Sequence, residues 1–192
     1  MMEQRKVLLA ALLFVTGLSC IFVVPEKKTT VPTEARTFEN EFLSFTIPAG
    51  WGTKEEVWER PMTPEEDFNG LGVQEMISIQ HPPIQKRVGG FFTLASSILQ
   101  SGEDLESRFT KTYENPYITF KDVSKQPFKR GALSGYEITY TRPIGEPWWQ
   151  FHDIWLEKGD LIYVLSFHTL TKGFENYAAV FDQILDSFHF KE

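Results

Sequence analysis

Four histidines, one cysteine and a few close-set carboxylates are the residues whose types could do chemistry. His81, His152, His168 and His189 are the only imidazoles in 192 residues. A metal site or an acid–base pair would need some of them together. His152 and His168 lie in neighbouring predicted strands. Pairing Glu157 with Asp160 sets His152 opposite Leu165 and Trp149 opposite His168, with the two imidazoles on opposite faces. A one-residue slip would align the faces but leave them about 13 Å apart along the strands. The pattern therefore predicts separate strand histidines, each satisfied locally, and no shared metal. Thr63-Pro64-Glu65-Glu66-Asp67 brings three acids together, but it reads better as a helix start. Thr63 suits the N-cap, Pro64 the first helical position and Glu66 a capping box. Gly131-Ala132-Leu133-Ser134-Gly135 has its serine one place too late for a nucleophile elbow and reads as a glycine-bounded turn. The sequence contains no Walker A, dinucleotide fingerprint, H-E-x-x-H or zinc spacing, so it calls for no cofactor and no metal.

The lone cysteine belongs to a different chemistry. Cys20 lies near the end of Val7–Val24, an uncharged apolar run of 18 residues behind Arg5 and Lys6. That is the layout of an export signal, and just long enough to span a bilayer. Three readings stay open. They are a cleaved signal, a retained anchor, or a lipoprotein signal in which Cys20 becomes the acylated first residue. The segment partly resembles a bacterial lipobox, with Ser19 before the cysteine but Gly17 and Leu18 in place of its usual residues. One cysteine also means no intrachain disulfide.

The formal charge is −7, and the domain without residues 1–24 carries −8. Such a balance argues against nucleic acid as a partner. Aromatics at 15% and charged residues at 23% give ample material for one packed domain. Residues 25–37 form a polar stretch with two prolines and no apolar period, expected to be a linker between the membrane and a domain spanning 38–190.

Within that domain the C-terminal thirty residues are the most legible. Leu161–Phe167 is nearly continuous apolar sequence, as expected of a central strand. Phe174, Tyr177, Ala178, Phe181, Ile184, Leu185 and Phe188 then recur at steps of three and four, which predicts a helix with one buried stripe. His189 to Lys191 reads as a short exit segment. Tyr136–Thr141, Gln150–Glu157 and Leu161–His168 predict an antiparallel meander with its second turn at Lys158-Gly159. The face with Ile154, Leu156, Tyr163, Leu165 and Phe167 is the more apolar and should take the C-terminal helix. The opposite face carries Phe151, Trp155, Ile162 and Val164 around Asp153 and Ser166, and needs cover too. Upstream, Phe42–Ile47 and Val73–Gln80 alternate as strands, and a short strand is expected through Val57 and Trp58. Phe91, Leu94, Ala95 and Ile98 suggest one helix, and Leu105, Phe109 and Tyr113 a second. Ile118–Phe128 suggests short extended pieces.

Trp148 and Trp149 follow a loop with Pro143, Gly145 and Pro147. Aromatics at a hairpin mouth can form a contact platform for a partner or a glycan, although packing into the core is the commoner fate of tryptophan.

Three local patterns resemble the PsbP-like family. They are the strand and Pro-x-Gly-Trp turn of Ile47–Trp51, the Gly-Tyr-x-x-x-Tyr strand of Gly135–Tyr140, and the Gly-Asp-x-x-Tyr strand with its aromatic helix from Gly159 to Phe190. The resemblance implies an α+β fold, an α/β/α sandwich with a central antiparallel sheet and the C-terminal helix packed on one face. The best-known member of the family supports oxygen evolution at photosystem II. Here the N-terminal segment resembles an export signal and not a plastid transit peptide, so the chain looks more like the family's exported relatives. The resulting expectation is a membrane-tethered, non-catalytic binding or assembly-support domain on the outer face of the cytoplasmic membrane. Its partners would be the membrane through residues 7–24 and another protein. A small-ligand carrier using Trp148, Trp149 and Trp155, or an enzyme with a dispersed carboxylate site, are the alternatives.

Overall fold

The computed structural model describes residues 31–52, 73–81, 89–114, 119–144 and 148–192. Residues 7–24 with Cys20, the Thr63–Asp67 helix start and the expected strand at Val57 and Trp58 lie outside them.

The centre of the fold is a six-stranded antiparallel sheet of β3 (Val73–Gln80), β4 (Phe91–Ile98), β5 (Lys121–Arg130), β6 (Leu133–Pro143), β7 (Trp148–Lys158) and β8 (Leu161–Leu170), in the order β3-β4-β8-β7-β6-β5. A second sheet joins β1 (Arg36–Glu39), β2 (Leu43–Ile47) and β9 (His189–Phe190) in the order β1-β2-β9. Two α-helices, α1 (Leu105–Tyr113) and α2 (Glu175–Ser187), and a 3-10 turn at Thr171–Gly173 complete the described structure.

The aromatic stripe of α2 lies on the large sheet as its spacing predicts. Tyr177, Phe181, Ile184 and Leu185 are buried. Phe181 stacks 5.4 Å from Phe167 and meets Phe92 at 6.1 Å. The small sheet joins the same core through Phe38, Leu43, Phe45 and Ile47. The other face of the large sheet holds a second core, in which Leu105 and Phe109 of α1 meet Ile138, Tyr140, Phe151, Trp155 and Ile162. The result is a layered α+β sandwich, with α2 and the small sheet on one side and α1 on the other.

Three expectations are corrected. Phe91–Ile98 is the strand β4 and not a helix. Its sequence FFTLASSI satisfies both periods, and pairing decides between them, because the segment fills the gap between β3 and β8. Phe92 and Leu94 become fully buried beneath α2 only when they alternate with Phe91 and Thr93. The β7–β8 register is shifted by two residues. Lys158 pairs with Leu161, so the turn is Gly159-Asp160, with Gly159 at φ 64° in the first central position that a II′ turn reserves for glycine. Phe151, not Trp149, faces His168, and Phe167 faces His152. An even shift preserves the faces, so the assignment of apolar and mixed sides holds. Finally, His189 and Phe190 are not a bare exit segment. They pair with Ser44 and Leu43 as β9.

Candidate functional site

The four histidines go to four separate places. His81 lies 5.5 Å from the rings of Trp51 and Tyr177. His189 meets the Ser44 hydroxyl at 2.9 Å. On the α2 face, His152 Nε2 is 2.6 Å from Glu137 Oε1, though outside hydrogen-bond geometry, and its ring stands edge-on to Phe181 at 4.9 Å. His168 is on the opposite face. Among the described residues, no three His, Cys, Asp or Glu side chains gather as a metal site.

The polar centre of the molecule is a carboxylate, Asp153, in the middle of β7. It is buried on the α1 face. Tyr113 donates to its Oδ2 at 2.6 Å and Tyr140 to the same oxygen at 2.9 Å, while Ser166 donates to Oδ1 at 2.6 Å. The Trp155 indole N–H donates in turn to the Tyr113 oxygen at 3.0 Å. Because Tyr113 accepts from Trp155, its own proton is free for the carboxylate. Burial raises the Asp153 carboxyl above its ordinary range, against the three hydroxyl bonds that favour the ionised form. Burial and the nearby Asp153 charge likewise push the Tyr113 and Tyr140 phenols up.

Helix α1 is placed for this contact by its own sequence. Asp104 caps the Ser107 N–H at 2.8 Å and Ser107 returns the bond, a capping box. Arg108 reaches back to Ser97 Oγ at 2.8 Å and to the Ile98 carbonyl at 3.0 Å, and pairs with Glu103. Phe109 then meets Trp155 edge-on at 5.5 Å. Buried and accepting from three hydroxyls, Asp153 works as a fastener between α1 and the sheet. The sequence singled out the face of Asp153 and Ser166, but the two are cross-strand partners only in the shifted register.

Towards the β6–β7 end of the same face, cross-strand neighbours line up as a ladder of rings. Phe91 stacks on His168 at 5.1 Å, His168 on Phe151 at 4.8 Å, and Phe151 on Tyr140 at 4.9 Å, with interplanar angles of 7°, 18° and 1°. All four are register partners across β4, β8, β7 and β6, so the sheet itself spaces them. His168 Nδ1 is buried without a hydrogen-bond partner among the described residues. Its imidazole is pushed down to about 4, first by burial and then by the charge of Arg142.

Trp149 is half-buried beside this ladder, 5.6 Å from Phe91 and 5.7 Å from His168. Trp148 is exposed, and Lys121 Nζ stands 4.3 Å above its ring. As adjacent residues of β7, the two indoles point to opposite faces of the sheet. They therefore belong to two surfaces meeting at one end and not to one flat platform. Trp155 shares the face of Trp149 but is buried under α1.

No family model matches the chain, and no curated protein does. Solved structures do match. Protein PA94 of Pseudomonas aeruginosa, of unknown function, superposes with a TM-score of 0.56 at 7% identity over 83% of this chain and 99% of that one. LpqN, involved in cell envelope biogenesis of Mycobacterium tuberculosis, gives 0.55 at 8% identity over 83% and 91%. Cyanobacterial PsbP from Synechocystis sp. gives 0.53 at 14% identity over 83% and 94%. Identities this low speak for the fold alone. Together with the two antiparallel sheets and the flanking helices, they establish that the chain has the PsbP-like fold.

Proposed function

We propose that this protein is a membrane-tethered, extracytoplasmic domain that acts by binding and not by catalysis, a contact or assembly-support module. The carrying observation is the contrast between its two polar–aromatic features. Asp153, the group best suited to acid–base work, is buried and spent on Tyr113, Tyr140 and Ser166. The partly open rings are instead at the β6–β7 end, where Trp149 adjoins Phe91 and His168. Aromatic side chains that are half-exposed over a rigid sheet supply contact area at little entropic cost. The tether is residues 7–24, which lie outside the described residues. Among the described residues no helix is long and apolar enough to cross a membrane. The fold likeness to LpqN, an envelope-biogenesis protein, supports the outer side of the membrane.

A photo-crosslinking residue in place of Trp149 in the full-length chain tests the reading in native membranes. One discrete protein adduct is expected, weakened by Phe91→Ala and not formed from a control position at the exposed Glu157. Absence of any adduct, together with substrate turnover that depends on Asp153 or His152, would replace the binding reading with an enzymatic one.

A further inference from the structure

Exposed apolar side chains gather at one end of the molecule. Among the described residues four large apolar side chains are exposed, namely Val31, Val123, Ile144 and Trp148. Three of them share the end of β5, β6 and β7 where the large sheet opens. Pro143 pairs with Trp148, which puts Ile144 next to the indole strand. Val123 stands in the irregularity of β5 between Lys121 and Ser124, where Asp122 takes a positive φ of 52° and accepts a bond from Thr141 at 2.9 Å. Single exposed apolar residues are ordinary, but a group of three that includes a tryptophan marks a contact surface.

The charge around this end is less negative than that of the chain. Lys121 and Arg142 stand at it with Asp122, in a protein of formal charge −7. Lys121 lies over the Trp148 ring at 4.3 Å, and the Arg142 guanidinium over Phe151 at 5.6 Å. Neither has a carboxylate partner among the described residues. Lys121 and Arg142 are thus open to anionic groups at this end, and tryptophan favours the headgroup region of a bilayer.

We propose that this end is a second membrane contact, in which Val123, Ile144 and Trp148 enter the interface of an anionic lipid bilayer while Lys121 and Arg142 meet its headgroups. The inference rests on the tethered reading, because the N-terminal segment keeps the domain within reach of the bilayer. Seated this way, the domain turns its Trp149 face sideways, towards a neighbour in the same membrane.

The test uses the purified full-length chain added to vesicles of phosphatidylcholine, or of phosphatidylcholine with phosphatidylglycerol, each containing brominated lipid as a quencher of tryptophan emission. Flotation with the neutral vesicles at high salt reports the tether alone. The account expects additional quenching in the anionic vesicles that high salt removes, that Trp148→Phe abolishes, and that Lys121→Gln weakens about fivefold. Ile144→Asp, at an exposed position, should abolish it as well. Equal quenching in wild type and Trp148→Phe overturns the proposal even when the chain floats. Anion-dependent quenching without neutral flotation supports the contact and instead contradicts the tether. A photo-crosslinker at position 144 in native membranes should give lipid adducts, and a discrete protein adduct there would overturn the lipid assignment.

Discussion

The Tyr113 hydroxyl donates to the Asp153 carboxylate across 2.6 Å, and this bond joins residues forty positions apart, one on α1 and one at the centre of the sheet. It makes the α1 layer dependent on a buried polar contact as well as on Phe109. Tyr113→Phe should cost about 1–3 kcal/mol, since it removes one donor and strands the Trp155 N–H. Asp153→Leu should cost more, about 3–5 kcal/mol, because three hydroxyls lose their acceptor. Denaturant unfolding of both variants gives the comparison. A smaller loss for Asp153→Leu than for Tyr113→Phe would show that the carboxylate does not hold the network together.

His168 sets a slope in stability against pH. Its folded-state pKa is depressed to about 4 from the ordinary 6.5 by burial between Phe91 and Phe151 and by Arg142. The unfolded chain takes up this proton below pH 6.5 while the folded chain does not. Stability is therefore full above pH 6.5 and falls as the pH drops towards 4, by roughly 3 kcal/mol at the low end. His168→Phe keeps the stacked ring and should flatten that slope. Unfolding curves at several pH values check it, and an unchanged slope would place the titration elsewhere.

Phe181 is the central contact of α2, between Phe92, Phe167 and His152. Phe181→Ala should cost about 3–5 kcal/mol. An unfolding midpoint unchanged by this substitution would contradict the packing of α2.

Gly135 marks a close approach. A Cβ there would fall 1.9 Å from the backbone oxygen of Trp155, so β6 and β7 would have to separate. Gly135→Ala should cost about 3 kcal/mol, lowering the melting temperature by several degrees. Gly173 is the matched control, because its φ is not positive and the nearest atom to its added Cβ is Thr169 Oγ1, at an ordinary 3.8 Å.

Much of this fold is legible in the sequence where one period dominates. The stripe from Phe174 to Phe188 admits only a helix, and the faces of β7 and β8 follow from alternation. Where two periods coexist, local pattern fails. FFTLASSI fits a helical face by Phe91, Leu94, Ala95 and Ile98, and only its position between β3 and β8 makes it a strand. The β7–β8 register turns on whether Gly159 opens or closes the turn. Register error hid the candidate site, because the Asp153–Ser166 pair and the Phe91–His168–Phe151–Tyr140 ladder exist only in the shifted alignment. Strand β9 is two residues long and has no pattern to read. Trp148 and Trp149 were visible as residues, but alternation assigns them to separate surfaces.

Cellular fractionation with protease protection tests the tethered binding reading most directly. Full-length protein should sediment with membranes and resist extraction by alkaline carbonate. Its domain should be digested by protease added to intact spheroplasts. Release by Cys20→Ala alone would identify acylation as the anchor, while retention of that variant would identify a spanning segment. Full-length protein found wholly in the soluble fraction, or a domain protected until the cells are lysed, would contradict the account.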